Sequence, residues 1–496
     1  MYTLCKVISR TSYLVKVEIM SNYTLSNRKS PYRTVAEEKE ANWQLTEEKL
    51  KVHLQILPSL LEKLKRIPDP RDPKKVGHRI NVLMLYGILM FVFQLSSRRK
   101  ANRSLTTPQL IENLKALCPE LDDMPHQDTL SRFLECIDVS RIEDAYLDLL
   151  NELIPKKKFR NLLAQNRYLV AIDGTQKYTM GTCHDERYLR RKTRDGRYQY
   201  YAYVLEAVLV FSNGMVLPFM SEFLENTPEL EAIENDEEWK QDCELKAFQR
   251  LAKRIKKRFP RLPITLLLDG LFANGPVIHL CQKNKWQFMI VLKDKSLPTV
   301  WEEVRGLMQL DTQCENSSVR DWQDCRQQFQ WVNGIEYEYG RTRKVLTFHV
   351  VICEEKRTRT IGEYNTRYVW ISSEPLNRGN VHALCNLAAR RRWLHENNIL
   401  EEKHQGYNYE HIYSYDWDAM RGYHYLMHIA HFLNELAIHS LNLMEYVKDI
   451  GIGAILDWFR ISMTYLEHDP EQLRLLREAP GQLRLIYVDD WRHAAA

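Results

Sequence analysis

Between Arg392 and Lys403 the chain reads Arg-Trp-Leu-His-Glu-Asn-Asn-Ile-Leu-Glu-Glu-Lys, which places Glu396 four residues after one cation and seven before another. At about 100° per residue those offsets bring the three side chains to one helical face. A carboxylate flanked by a guanidinium and an ammonium suits metal-dependent phosphoryl transfer, because the acid holds a cation while the bases hold a substrate phosphate. DNA chemistry is therefore the first hypothesis.

Two more acids stand where strands should end. Tyr168-Leu-Val-Ala-Ile-Asp173 and Ile264-Thr-Leu-Leu-Leu-Asp269 are apolar runs of strand length, each closing on an aspartate followed by glycine. Between them the pattern predicts strands over 202–211 and 215–220 joined by Ser212-Asn213-Gly214, then a helix with Leu245, Phe248, Leu251, Ala252 and Ile255 on one face. A helix over 276–283 and a strand over 288–292 complete the order β-β-β-α-β-α-β, that of the ribonuclease H fold. In such a sheet Asp173 and Asp269 would be neighbours and Glu396 would close a cage of oxygen ligands. Such ligands select Mg²⁺ or Mn²⁺, and two ions could activate water or a 3′-hydroxyl and stabilise the leaving oxygen of a phosphodiester.

These residues resemble a known family, the bacterial insertion-sequence DDE transposases whose third acid lies in a Tyr-x2-Arg-x3-Glu-x6-Lys signature. Arg392, Glu396 and Lys403 match its spacing and types. The likeness extends to Trp393, to Lys403-His-Gln-Gly-Tyr407 with Glu410-His411, to Lys240-Gln-Asp-Cys-Glu244, and to Thr129-Leu-Ser-Arg-Phe-Leu134, and so covers residues 45–440. The signature tyrosine falls on Ala389. The resemblance implies that this phosphate contact is missing or supplied by a neighbour such as Tyr407. It also implies recognition of terminal inverted repeats, a homodimeric synaptic complex, nicking at 3′ ends and transfer into target DNA. Some relatives pass through a hairpin in which a tryptophan of an inserted β region stacks on a flipped base, a part open here to Trp331 or Trp322. Packing within the insert is the plainer expectation for both.

At 496 residues the chain is too long for one ordinary core, and a hydrophobic fraction of 44% fits a globular protein. The formal charge of +5 is unevenly spread. One basic run holds Arg187, Arg190, Arg191, Lys192, Arg194 and Arg197, and another extends from Lys253 to Arg261. Arg190, Arg191 and Lys192 are candidate phosphate contacts. The acidic run from Glu222 to Glu238 reads as a solvated loop. The ten cysteines include no Cys-x-x-Cys pair, which argues against a zinc ribbon or disulfide framework. The longest apolar run, Val82 to Leu95, is too short for a membrane span. The expected setting is the cytoplasm of a bacterium or archaeon, at the nucleoid when bound to DNA.

The elements that must position the acids divide as follows: a flexible arm over 1–44, a helical DNA-end-binding domain over 45–165, a ribonuclease H-like core over 166–292 and 380–440, an inserted β-rich region over 293–379, and a helical segment over 441–496. Pro58 should kink the first helix. Helices expected over 107–117 and 129–136 could form a helix-turn-helix, with Asp128 capping the second and Arg132 facing DNA. In the insert, Asn333-Gly334 between apolar runs signals a hairpin. His424, His428 and His431 share one helical face and could bind zinc, although buried histidines more often pack. Two other readings compete: a nuclease of the same fold that cuts without joining, and a domesticated DNA-binding protein without catalysis.

Overall fold

The computed structural model describes residues 29–30, 32–226, 242–359 and 362–486. Leucines at helical spacing build α1 (Val35–Leu64), which begins inside the stretch expected to be a flexible arm and runs on through Pro58. Its start is a capping box: Thr34 accepts from the Glu37 amide, while the Glu37 carboxylate accepts from the amides of Arg33 and Thr34. The wholly buried α2 (Ile80–Val92) follows, then α3 (Arg98–Leu105), α4 (Pro108–Leu117), α5 (Gln127–Leu134) and α6 (Ser140–Leu153). His126, not Asp128, caps α5; Asp128 is instead ion-paired with Arg98.

The apolar runs then form one sheet. β1 (Tyr168–Met180), β2 (Leu189–Lys192), β3 (Tyr198–Val210) and β4 (Val216–Leu224) precede α7 (Glu244–Arg258), β5 (Ile264–Leu268), α8 (Gly275–Lys283) and β6 (Gln287–Val291). β3 pairs antiparallel with β1 and β4, and β1, β5 and β6 run parallel, giving the central order β4-β3-β1-β5-β6. Gly214, at φ 83°, closes the β3–β4 turn in the left-handed region, as its Asn-Gly pair suggests.

The stretch after β6 opens with α9 (Pro298–Leu310) and continues as β7 (Ser317–Trp322), β8 (Cys325–Tyr339), β9 (Lys344–Arg359) and β10 (Gly362–Ser372). These strands extend the central sheet, because β10 pairs antiparallel with β6. Asn333-Gly334 is not a hairpin. It is a bulge inside β8, where the register against β9 shifts between Val332 and Ile335. The Asn333 amide holds it by donating to the Leu376 carbonyl and accepting from the Leu376 amide, each at 2.8 Å.

A π turn (Ala383–Ala388) and a 3₁₀ turn (Ala389–Arg391) lead into α10 (Arg392–His404). Beyond it lie α11 (Trp417–Ile438), α12 (Met444–Ile450), α13 (Ile452–Tyr465) and α14 (Pro470–Glu478). α11 is buried along almost its whole length, packed between α2 and β4, as expected of a helix apolar on most faces. α4 packs on α13 and α14, whereas α5 packs on α2, α3 and α11. The expected helix-turn-helix is therefore replaced by helices with different neighbours, although Arg132 on α5 is exposed. Among the described residues no helix is long and apolar enough to cross a membrane.

Candidate active site

β1 and β5 are in parallel register, with Ile172 opposite Leu268, so the next residue on each chain is an aspartate. Equal positions on adjacent strands project to one side of a sheet, which places Asp173 and Asp269 side by side. Each turns its backbone toward itself: Asp173 Oδ1 accepts from the Gly174 amide at 2.9 Å, and Asp269 Oδ1 accepts from the Leu271 amide at 2.8 Å. The third acid arrives on α10, which packs against β1. Arg392 joins the two elements, since its guanidinium lies 2.6 Å from Glu396 Oε1 and 3.5 Å from Asp173 Oδ2. A π turn, wider than an α-helix, and then a tighter 3₁₀ turn immediately precede Arg392, irregularities of the kind often found where a side chain must be aimed at a site.

A fourth carboxylate belongs to the cluster. Glu244, the first residue of α7, accepts from the Tyr203 hydroxyl at 2.6 Å. A Cβ on Gly174 would stand 2.8 Å from the Glu244 carboxylate and 2.7 Å from the Tyr203 ring. Glycine after the first acid thus lets α7 approach. Burial raises the pKa of Glu244, the Tyr203 hydrogen bond opposes this, and Asp173 and Asp269 push it higher. Asp173 is also raised, first by burial; His395 and Arg392 pull it down and Glu396 pushes it up. His395 is fully buried, with Nε2 3.1 Å from the Glu206 carbonyl of the neighbouring strand. Lys293, just past β6, completes the rim with Nζ 3.5 Å from Asp269 Oδ2.

Glu244 lies in the Lys240–Glu244 stretch that carries part of the resemblance, but an acid opening a helix is common and its contact with Asp173 is non-local. Lys293 and His395 carry no signal of their own.

Other expected contacts are distributed differently. Lys403 forms an ion pair with Glu410 at 3.0 Å. Tyr407 is only 1% exposed, and its hydroxyl accepts from Asn434 at 3.0 Å, so it is a core residue with no face for DNA. Trp331 is likewise buried, packed in the core of the sheet beside Phe329 and Val351. Trp322 is half-buried, with the Arg390 guanidinium 5.3 Å from its ring. Tyr368, Trp370 and Trp393 line a cleft of about 370 Å³ together with Lys293, Arg367, Ala389 and Arg392. Small Ala389 leaves that cleft open. Arg190, Arg191 and Lys192 lie on β2, paired with the outer end of β3. In the second basic run, Arg254 pairs with Glu143 and Glu222, and Arg258 with Asp148, so these arginines fasten α7 to its neighbours.

Asp173 and Glu396 converge on one cationic group, Arg392, with carboxylate oxygens of the kind that suit a hard divalent cation. Glu244 adds an acid beside them.

Residues 61–150 match the family model described as DDE_Tnp_1-associated, a region named for its association with DDE transposases. The match spans the end of α1 through most of α6 and points to a transposase of the DDE type. No curated protein matches the chain.

Proposed function

We propose that the chain is a DNA transposase that cleaves 3′ ends and transfers them to target DNA, using a ribonuclease H-like core of β1, β3, β4, β5 and β6. The observation that carries this reading is that Asp173 and Glu396, from a strand and a distant helix, share Arg392, while Asp269 follows the parallel strand paired with that of Asp173. The match over residues 61–150 supports it from a part of the chain that contains none of these acids.

Mg²⁺ or Mn²⁺ held by the three carboxylates would supply activation of the attacking hydroxyl and stabilisation of the leaving oxygen. The remaining work falls to the protein. Arg392 and Lys293 border the acids and can pair with phosphate oxygens of the strand being cut. Tyr368 takes the place proposed for Tyr407, because it lines the cleft beside Arg392. His395, held against β3, acts on Asp173 by its charge, favouring the ionised carboxylate. Arg190, Arg191 and Lys192 would follow the DNA backbone away from the cut, and a homodimer would hold two ends together.

In single-turnover assays on duplexes bearing the element's ends, Asp173→Ala, Asp269→Ala and Glu396→Ala should each abolish Mg²⁺-dependent nicking while end binding is retained. Wild-type cleavage in any one of them would remove that residue from the site. A pre-cleaved 3′ end should be joined to target DNA by the wild-type protein; cleavage without joining would mark a nuclease instead.

A further inference from the structure

α11 carries an unusual load for a helix in the core: His424, His428, His431 and Glu435 are all buried, facing Glu206 from β3 and Glu402 from α10. Ionisable groups are costly to bury unless each is paired. Around His424 most of the pairing is internal, with Glu206 Oε2 and His428 Nε2 left without a hydrogen-bond partner. Lys177 Nζ lies 3.2 Å from His424 Nδ1, Ser221 Oγ lies 2.9 Å from His424 Nε2, and Tyr409 donates to Glu206 at 2.5 Å. Lys177 and Glu206 balance one another in charge.

Two turns further along α11 the pattern changes. His431 Nδ1 lies 2.6 Å from Glu402 Oε1, and an acceptor-only carboxylate there fixes a proton on Nδ1. The other nitrogen, Nε2, belongs to a fully buried ring and has no hydrogen-bond partner; Glu402 Oε2 has none either. Glu435 Oε1 stands 3.9 Å from Nε2, beyond hydrogen-bond reach, and its other oxygen accepts from the Val216 amide at 3.3 Å. One ring nitrogen of His431 and one carboxylate oxygen from each of Glu401 and Glu435 all lie within 4.8 Å of one another.

We propose that Glu401, His431 and Glu435 bind a divalent first-row metal ion, Zn²⁺ or Mn²⁺, that ties α10 to α11. His431 and Glu435 are four residues apart and so share a helix face, while Glu401 comes from the facing helix. Metal–ligand bonds of about 2.0–2.2 Å in a tetrahedron keep ligand atoms roughly 3.3–3.6 Å apart, so the side chains must draw together, by a few tenths of an ångström between His431 and Glu435 and by about 1.5 Å at most elsewhere. The Glu402–His431 hydrogen bond is the outer-shell support that metal-bound imidazoles ordinarily have. One imidazole with two carboxylates suits Zn²⁺ and Mn²⁺ alike. The site is separate from Asp173, Asp269 and Glu396, and its ion would hold the helix bearing Glu396 rather than take part in chemistry.

The test uses the full chain carrying Asp173→Ala, Asp269→Ala and Glu396→Ala, so that the surface acids contribute nothing. Purified without chelator and desalted into metal-free buffer, it should retain about one equivalent of Zn²⁺ or Mn²⁺ by mass spectrometry, as an ion acquired on folding would be. The identity of the ion separates the two metals. X-ray absorption at its edge should show one imidazole among oxygen ligands. Less than about 0.1 equivalent, even after refolding with either ion in excess, overturns the proposal. Two imidazoles, the signature of His424 with His428, overturn it as well. Adding Glu435→Gln to the same chain should reduce retained metal at least tenfold, and a folded Glu435→Gln chain with undiminished metal would place the ion elsewhere.

Discussion

Among the residues around Asp173, Glu244 separates what a motif can show from what a fold must supply. Two of the expected acids close recognisable strands and the third lies within a signature helix, so local pattern alone singles them out. Glu244 reaches the cluster only because α7 lies across β1 where Gly174 has no side chain. Gly174→Ala should therefore act through Glu244 and Tyr203. With neighbours at 2.7–2.8 Å the new Cβ forces a shift, and displacement of acids by even a fraction of an ångström should slow nicking about 10- to 100-fold. A urea midpoint close to wild type would show that the loss is local, whereas unchanged nicking would mean that the Gly174–Glu244 approach is irrelevant to the chemistry. Glu244→Gln keeps the shape and removes a negative charge facing Asp173 and Asp269. The Mn²⁺ concentration for half-maximal nicking should rise about 10-fold, the usual cost of losing a group that supports metal ligands; no change would leave Glu244 a structural partner of Tyr203.

Elements were legible where their periodicity was decided locally and illegible where partners decided it. Asn333-Gly334 carries the same local signal as Asn213-Gly214, yet one is a bulge and the other a turn. The difference is that β8 pairs with β9 on both sides of the glycine, Val332 with Val350 and Ile335 with Phe348, so its chain runs on past it. Trp331 is buried for a related reason: Phe329 and Trp331 alternate with more exposed residues along β8, and that face is inward. The same sheet steadies the approach to Glu396. Arg390, just before α10, is buried against Glu355 of β9, with its guanidinium 4.2 Å from the Tyr368 ring. Removing one partner of a buried ion pair leaves an uncompensated charge, so Glu355→Ala should destabilise the protein by about 3–5 kcal/mol. The double variant Glu355→Gln with Arg390→Met should recover most of that loss, since both charges are gone. Equal urea midpoints for the single and double variants would show that the pair is not acting as a unit.

At the scale of the whole molecule, strands were legible on both sides of residue 292, but not that they form one sheet, because strand pairing between β6 and β10 has no local signature. The result is one continuous sheet with the β2–β3 hairpin at one end and Asp173 on β1, the next strand in from β3. β1 runs from Asp173 to Met180, and Met180 and Arg190 both pair with Tyr200. At about 3.3 Å per residue the hairpin cations thus stand roughly 20 Å along the sheet from the acids. That length corresponds to about six base pairs of duplex. If Arg190, Arg191 and Lys192 each neutralise one phosphate, changing all three to alanine should reduce the slope of log binding constant against log salt by about 2.7. The effect should depend on substrate length. An end duplex stopping about four base pairs from the cut cannot reach the hairpin and should bind equally well to both proteins, whereas one of about fifteen base pairs should show the full loss. Fluorescence anisotropy at a series of salt concentrations would measure both slopes. A triple variant with the wild-type slope on the long duplex would remove the β2 cations from the DNA path, and an equal loss on the short duplex would mean that they act on the acids rather than on distant phosphates.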